Sequence, residues 1–159
     1  LGDVLRGLQE PLAAEARQRR IELTWTLPAQ EPLIWADEEA MRRVVMILAD
    51  NALKYTAAGG RVDVRLSNEG AGAAVEVEDT GCGIAAEHLP HVFDRFYRAD
   101  AARTAGSGAG LGLSIARTIV EAHGGSMVVR SSVGVGTCVR VSMLALDSQA
   151  SGSQQPAHA

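Results

Sequence analysis

An α/β fold in one domain is what this sequence predicts, and three observations carry the prediction. Apolar residues recur at helical spacing in three stretches, around residues 4–16, 41–53 and 111–123. Between and after these stretches, apolar and polar residues alternate with the period of half-buried strands. At 159 residues, with 47% hydrophobic and 21% charged content, the chain supports one sizeable core and is too short for two domains of ordinary size. The domain is expected over residues 1–146. From Asp147 onward serine, glutamine, alanine and glycine dominate, and that composition cannot bury enough apolar surface to order itself, so 147–159 reads as a disordered tail.

The elements follow in order. Val4, Leu5, Leu8, Leu12, Ala13 and Ala16 predict a first helix running into the charged stretch Arg17 to Arg20, bent or split at Pro11, which has no N–H to donate. Ile21, Leu23, Trp25 and Leu27 predict a strand closed by Pro28, and a second short strand is predicted over Leu33 to Ala36. Asp37 is the expected N-cap of a helix with apolar positions Met41, Val44, Val45, Leu48, Ala52 and Leu53. That helix carries Asn51 and Lys54, and Gly59-Gly60 is expected to end it. Val62, Val64 and Leu66 then alternate with charged residues up to an Asn68-Glu69-Gly70 turn, and Val75 and Val77 continue as a strand that delivers Asp79 at its end. The segment from Gly83 to Gly112 contains Pro90, the aromatic group Phe93 to Arg98 and a run of alanine, glycine and serine. With little to hold it in place, it reads as either disorder or a functional lid. Leu111 to His123 predicts a helix stopped by Gly124-Gly125, and strands over Ser126 to Ser131 and Thr137 to Leu144 form a hairpin through Val133-Gly134-Val135-Gly136. There is no internal repeat.

Bulk properties exclude several classes. A net charge of −4 and a pI near 5.5 argue against nucleic acid as a partner, since duplex binders carry a concentrated basic surface. Cys82 and Cys138 form neither a CxxC pair nor a bridge framework, and both read as free thiols in a reducing compartment. The longest strongly apolar run, Val44 to Ala49, is far below a membrane span, and no secretion signal is present. The start at Leu1, without methionine and within a helical pattern, reads as a fragment boundary.

Three clusters can carry chemistry together: Asn51 within Asp50 to Thr56, then Asp79-Thr80-Gly81-Cys82-Gly83-Ile84, then Gly108-Ala109-Gly110-Leu111-Gly112-Leu113. Asn51 offers a neutral amide oxygen to a hard cation such as magnesium, which usually takes one or two protein groups and bridges to substrate phosphates. A buried Asn bonded to backbone is the structural alternative. Lys54, on the same helical face, can bring positive charge to phosphates or can be a solvated surface lysine. Asp79 at a strand end can accept a hydrogen bond from an exocyclic amine, with Gly81 and Gly83 letting backbone approach a ring; the alternative is an Asx turn. The glycines from Gly108 to Gly112 precede a helix whose first N–H groups form an anion site, or they are a flexible loop with a cap. His88, His91, His123 and His158 have no partners at metal-ligand spacing, and His123 reads as a helix C-terminal residue facing the dipole.

With these clusters placed, residues 1 to 145 resemble the catalytic ATP-binding domain of bacterial sensor histidine kinases, within the wider superfamily of gyrase, heat-shock chaperone and mismatch-repair ATPases. Asp50 to Thr56 is similar to the N box, Asp79 to Ile84 to the first glycine box and Phe93 to Arg98 to the F box. Gly108 to Leu113 resembles the second glycine box and Gly134 to Thr137 the third. The resemblance implies a two-layer α/β sandwich (Bergerat fold), with a mixed, mostly antiparallel sheet of about five strands covered on one face by three helices. ATP would lie between helices under a mobile lid, poorly ordered between Ala99 and Gly110 without nucleotide. Asp79 would bond the adenine amine with Thr137 assisting, Gly81, Gly83 and Ile84 would line the base, and Tyr55 would pack near base or ribose. Asn51 would hold Mg2+, and Tyr97 would border the nucleotide. Lys54 and Arg98 would approach phosphates, and Gly108, Gly110, Leu111, Gly112 and Leu113 would form the lid hinge and phosphate cradle.

By the same resemblance, the γ-phosphoryl group would pass to a histidine on a separate helical phosphoacceptor domain, with a response regulator as indirect partner. The parent would be a sensor kinase with a cytoplasmic catalytic end, reaching a membrane only through upstream segments. Two departures from the family pattern stand out. Ile47 occupies the position, one turn before Asn51, where these kinases usually carry a second asparagine and the hydrolysing relatives a glutamate base. No string resembling the H box of the acceptor histidine occurs. Ile47 keeps open a degenerate nucleotide-binding regulatory module without phosphotransfer. A serine-directed switch kinase of the anti-sigma type is disfavoured by the aromatic F box.

Overall fold

The computed structural model describes residues 1–70, 72–98 and 109–144. Among them, helix α1 (Gly2–Arg19) is followed by β1 (Glu22–Thr26), α2 (Glu38–Tyr55), β2 (Arg61–Glu69) and β3 (Gly72–Asp79). A single 3-10 turn, Leu89–His91, precedes α3 (Gly112–Ala122), β4 (Ser126–Ser132) and β5 (Gly136–Leu144). The strands form one sheet in the order β1-β2-β3-β5-β4. Strands β1 and β2, joined through α2, pair in parallel, and every other pair is antiparallel. The expected mixed, mostly antiparallel sheet with three helices is therefore present.

Alternation decides which face is covered. Val62, Val64, Leu66, Val75, Val77, Val139 and Val141 are buried against α2, whose Val44, Val45, Leu48 and Leu53 are equally buried, and α1 adds Leu5, Leu8 and Leu12. The opposite face carries charge. Arg61 bonds Asp63 at 2.8 Å, Arg65 bonds Glu78 at 2.9 Å and Arg140 bonds Glu76 at 2.6 Å. Helix α3 ends in a Schellman motif: Gly125 N–H donates to Val120 O and Gly124 N–H to Glu121 O, with Gly124 at φ +72°. His123 Nδ1 lies 2.8 Å from Ile119 O, the expected helix-end role.

Four local expectations are corrected. Helix α1 runs through Pro11, which is exposed while Leu8 and Leu12 beside it are buried, so packing of the apolar face holds the turn despite the missing donor. Leu33 to Ala36 is not a strand: only Ile34 makes an isolated bridge, and Leu33 and Trp35 are 82% and 77% exposed. Pro28 and Pro32 remove backbone donors around this short segment, which prevents a ladder. Helix α2 stops at Tyr55 rather than at Gly59-Gly60, because Thr56 turns extended (φ −95°, ψ 130°) and its Oγ1 donates to Ala52 O at 2.7 Å. The described part of the Gly83 to Gly112 segment is anchored. Tyr97 Oη lies 2.7 Å from His88 Nδ1, and the Arg117 guanidinium stands 5.0 Å from the Phe93 ring centre. The lid expected over Ala99 to Gly110 and the tail from Asp147 fall almost wholly outside the described residues.

Candidate functional site

Strand register places the polar end of the site. Asp79 closes β3 opposite Thr137 of β5, which in turn stands opposite Ser131 of β4. This row emerges on the helix-covered side where the apolar core ends. Asp79 is 9% exposed, and its Oδ1 accepts N–H bonds from Gly81 at 2.8 Å and Thr137 at 3.2 Å. Burial pushes the Asp79 carboxyl above its ordinary value, the two N–H bonds pull it down, and neighbouring Glu78 pushes it up. Both of these N–H bonds fall on the one oxygen, Oδ1.

Helix α2 contributes the second wall. Its C-terminal half carries Asn51 and Lys54 three residues apart, hence on one face, with Tyr55 beside them. Lys54 Nζ lies 5.0 Å from the centre of the Tyr55 ring. Backbone packs closely here: a Cβ on Gly81 would press on Tyr55 O, and Cys82 N–H donates to Tyr55 O at 3.2 Å. The first turn of α3 lies directly against α2, for a Cβ on Gly112 would stand 3.2 Å from Ile47 Cγ2 and 3.7 Å from Asn51 Nδ2. Phe96 N–H donates to Gly110 O at 3.0 Å, which joins the F-box segment to the start of α3.

These elements enclose a cavity of about 300 Å³. Asn51, Lys54, Tyr55, Asp79, Gly83, Ile84, Tyr97, Arg98, Gly110, Leu111, Gly112, Leu113 and Thr137 all border it. Among the residues expected from sequence, Gly81 stands behind the wall, between Asp79 and Tyr55 O, and Gly108 lies outside the described residues. The cavity gathers further residues. Val77, Val92, Val129 and Val139 supply apolar surface, Cys82 is exposed at the edge, and Ile47 lies in the wall beside Asn51. Periodicity marks Val77, Val129 and Val139 only as strand positions and does not mark Val92 at all, and nothing in the sequence separates a cavity valine from any other. Two histidines also approach the site: His88 bonds Tyr97, and the His91 ring lies 5.3 Å from the Tyr97 ring.

The acceptors of Asp79 and Thr137, the apolar valines, the cationic Lys54 and Arg98 and the N-terminus of α3 around one cavity suit a ligand with a flat base and an anionic tail. No cluster of three or more His, Cys, Asp or Glu side chains able to hold a metal occurs among the described residues. Asn51 borders the cavity, and an amide oxygen is the kind of donor that a hard cation accepts.

Residues 36–147 match the family of histidine kinase-, DNA gyrase B- and HSP90-like ATPases. The chain belongs to that family. It is 39% identical over 145 residues to sensor histidine kinase RppB of Synechocystis sp., covering 90% of this chain and 32% of RppB. It is 46% identical over 106 residues to sensor protein SrrB of Staphylococcus aureus, covering 65% of this chain and 18% of SrrB. Mycobacterial sensor histidine kinase MprB superimposes with a TM-score of 0.76 at 32% identity, over 91% of this chain and 95% of that one. Full-length ShkA, solved in complex with AMPPNP, superimposes with a TM-score of 0.79 at 31% identity, over 90% of this chain and 30% of ShkA. Within the family, the chain is thus a catalytic ATP-binding domain of the bacterial sensor histidine kinases, spanning under a third of the curated relatives it matches. No helix among the described residues is long and apolar enough to cross a membrane.

Proposed function

We propose that this domain binds Mg-ATP and donates the γ-phosphoryl group to a histidine on a separate helical phosphoacceptor domain, on the cytoplasmic side of a two-component sensor kinase. One observation carries this reading: a single cavity gathers Asn51, Asp79, Tyr97, Gly110 to Leu113 and Thr137 from five separate parts of the chain. Asp79 accepts from the adenine amine and Thr137 supports it, while Tyr55 flanks the base or ribose. Lys54, Arg98 and the first N–H groups of α3 hold phosphate oxygens. Asn51 holds Mg2+, whose chemistry there is neutralisation of phosphate charge. In the transfer, the bond from the γ-phosphorus to its bridging oxygen breaks, a phosphorus–nitrogen bond forms, and ADP leaves with the electron pair. The protein's share is positioning and charge neutralisation. A response regulator is the indirect partner, and nucleic acid is not one.

Ile47 in the cavity wall favours a second reading, a regulatory module that binds nucleotide without transfer. Calorimetry with a non-hydrolysable ATP analogue, with and without magnesium, followed by phosphorylation of a supplied acceptor domain, separates the two. Magnesium-enhanced binding and labelling of the acceptor histidine support the kinase. Binding indifferent to magnesium, with no labelling, supports the regulatory module.

A further inference from the structure

Ser131 is not among the residues that border the cavity, yet two that do, Ile84 and Thr137, converge on its hydroxyl together with Gly136. Ile84 N–H, from the glycine loop after β3, donates to Ser131 Oγ at 2.8 Å. Gly136 O, from the first residue of β5, lies 2.8 Å from it, and Thr137 Oγ1 lies 2.8 Å from it. A carbonyl oxygen can only accept, so the single hydroxyl hydrogen of Ser131 goes to Gly136. One lone pair of Ser131 is taken by Ile84, and the remaining contact forms only if Thr137 donates. The Thr137 hydrogen is thereby committed away from the cavity. Toward a ligand Thr137 then presents lone pairs alone, and the neighbouring Asp79 carboxylate likewise only accepts.

We propose that Ser131 is a positioning residue that fixes the Thr137 hydroxyl as an acceptor, so that the base end of the cavity selects ligands that donate there. The proposal rests on the reading of the cavity as a nucleotide site. It explains discrimination between an amino purine and an oxo purine: an adenine amine has two hydrogens to donate to two acceptors, whereas an oxo group meets lone pairs on both sides. Without Ser131, the Thr137 hydroxyl can rotate and donate to an oxo group, and selectivity relaxes.

The test is the ratio of the dissociation constants of ATP and ITP, measured by calorimetry on the 159-residue chain. The parent is expected to prefer ATP. Ser131→Ala should narrow the preference by about tenfold, the scale of one hydrogen bond. Ser131→Thr keeps the hydroxyl and should restore the ratio. In a Thr137→Val background, Ser131→Ala should leave the ratio unchanged, because the hydroxyl it controls is gone. A purely structural role for Ser131 would weaken both nucleotides alike, and an unchanged ratio in folded Ser131→Ala overturns the proposal. If that variant does not fold, Ser131→Cys, with its weaker donor and longer reach, is read by the same ratio. A parent chain that binds neither nucleotide overturns the nucleotide reading itself, an outcome distinct from equal weakening of both.

Discussion

Burial gives Asp79 its character. A carboxyl whose value in the folded protein is raised favours its neutral form on folding. Its stabilising contribution is therefore complete below the ordinary aspartate range and is lost as pH rises through the raised value, leaving a cost at neutral pH. Asp79→Asn keeps an oxygen for the Gly81 and Thr137 N–H groups and never ionises. Relative to the parent, this variant should gain thermal stability as pH rises from acid to neutral, and a stability difference independent of pH would contradict the argument. Its amide should also turn hydrogens toward the ligand amine, so ATP affinity should fall about ten- to a hundredfold by calorimetry. Asp79 and Asn51 were legible as candidates because glycines or a helical period stand at fixed offsets from them, and Thr137 only through the family resemblance. Ser131 and His88 were not. Each reaches the site through another side chain, Thr137 or Tyr97, and a lone serine in a strand or histidine in a loop carries no local mark.

The elements divide the work between framing and filling the site. Helix α2 starts at Asp37, whose side chain accepts from Ala40 N–H at 2.7 Å, and delivers Asn51, Lys54 and Tyr55 at its other end. Asp37→Ala should cost about 1 kcal/mol in urea unfolding and leave ATP affinity unchanged, since the cap lies several turns from the cavity. The β4–β5 turn behaves differently. Gly136 has φ +137°, and a Cβ there would collide with the backbone carbonyl of Asp79. Gly136→Ala should cost about 2–3 kcal/mol and weaken ATP together with stability, because strain relief displaces Asp79 and Thr137. A Gly136→Ala variant as stable as the parent would refute that coupling. Among the described residues, periodicity revealed the three helices and the five strands, because each is long enough for its apolar positions to repeat. It failed at Leu33 to Ala36, where flanking prolines outweigh a short apolar run, and at the end of α2, where the Thr56 hydroxyl stops the helix before the glycines do.

On the scale of the molecule, the core and the site share a wall, since Leu48, Ala52, Val77 and Val139 belong to the buried cluster and also border the cavity. The buried cluster joins α1, α2 and the helix-facing side of the sheet, and the cavity opens at its border, where α2, the F-box segment and α3 meet the row of Asp79 and Thr137. Ligand binding adds stability by linkage, about 2.7 kcal/mol at a hundredfold excess over the dissociation constant. Magnesium divides that increment. If Asn51 supplies the one protein oxygen of a shared cation, the shift in unfolding midpoint caused by an ATP analogue should grow when magnesium is added to the parent. With Asn51→Ala, the shift without magnesium should persist and the extra part should vanish. The apo midpoint should change little, because Asn51 is only half-buried and stands outside the packed core. A parent whose midpoint shift is the same with and without magnesium would mean that Ile47, in the wall beside Asn51, has left the site unable to hold the cation. Nucleotide would then be bound by Asp79 and the cationic groups alone, which is the behaviour of a regulatory module.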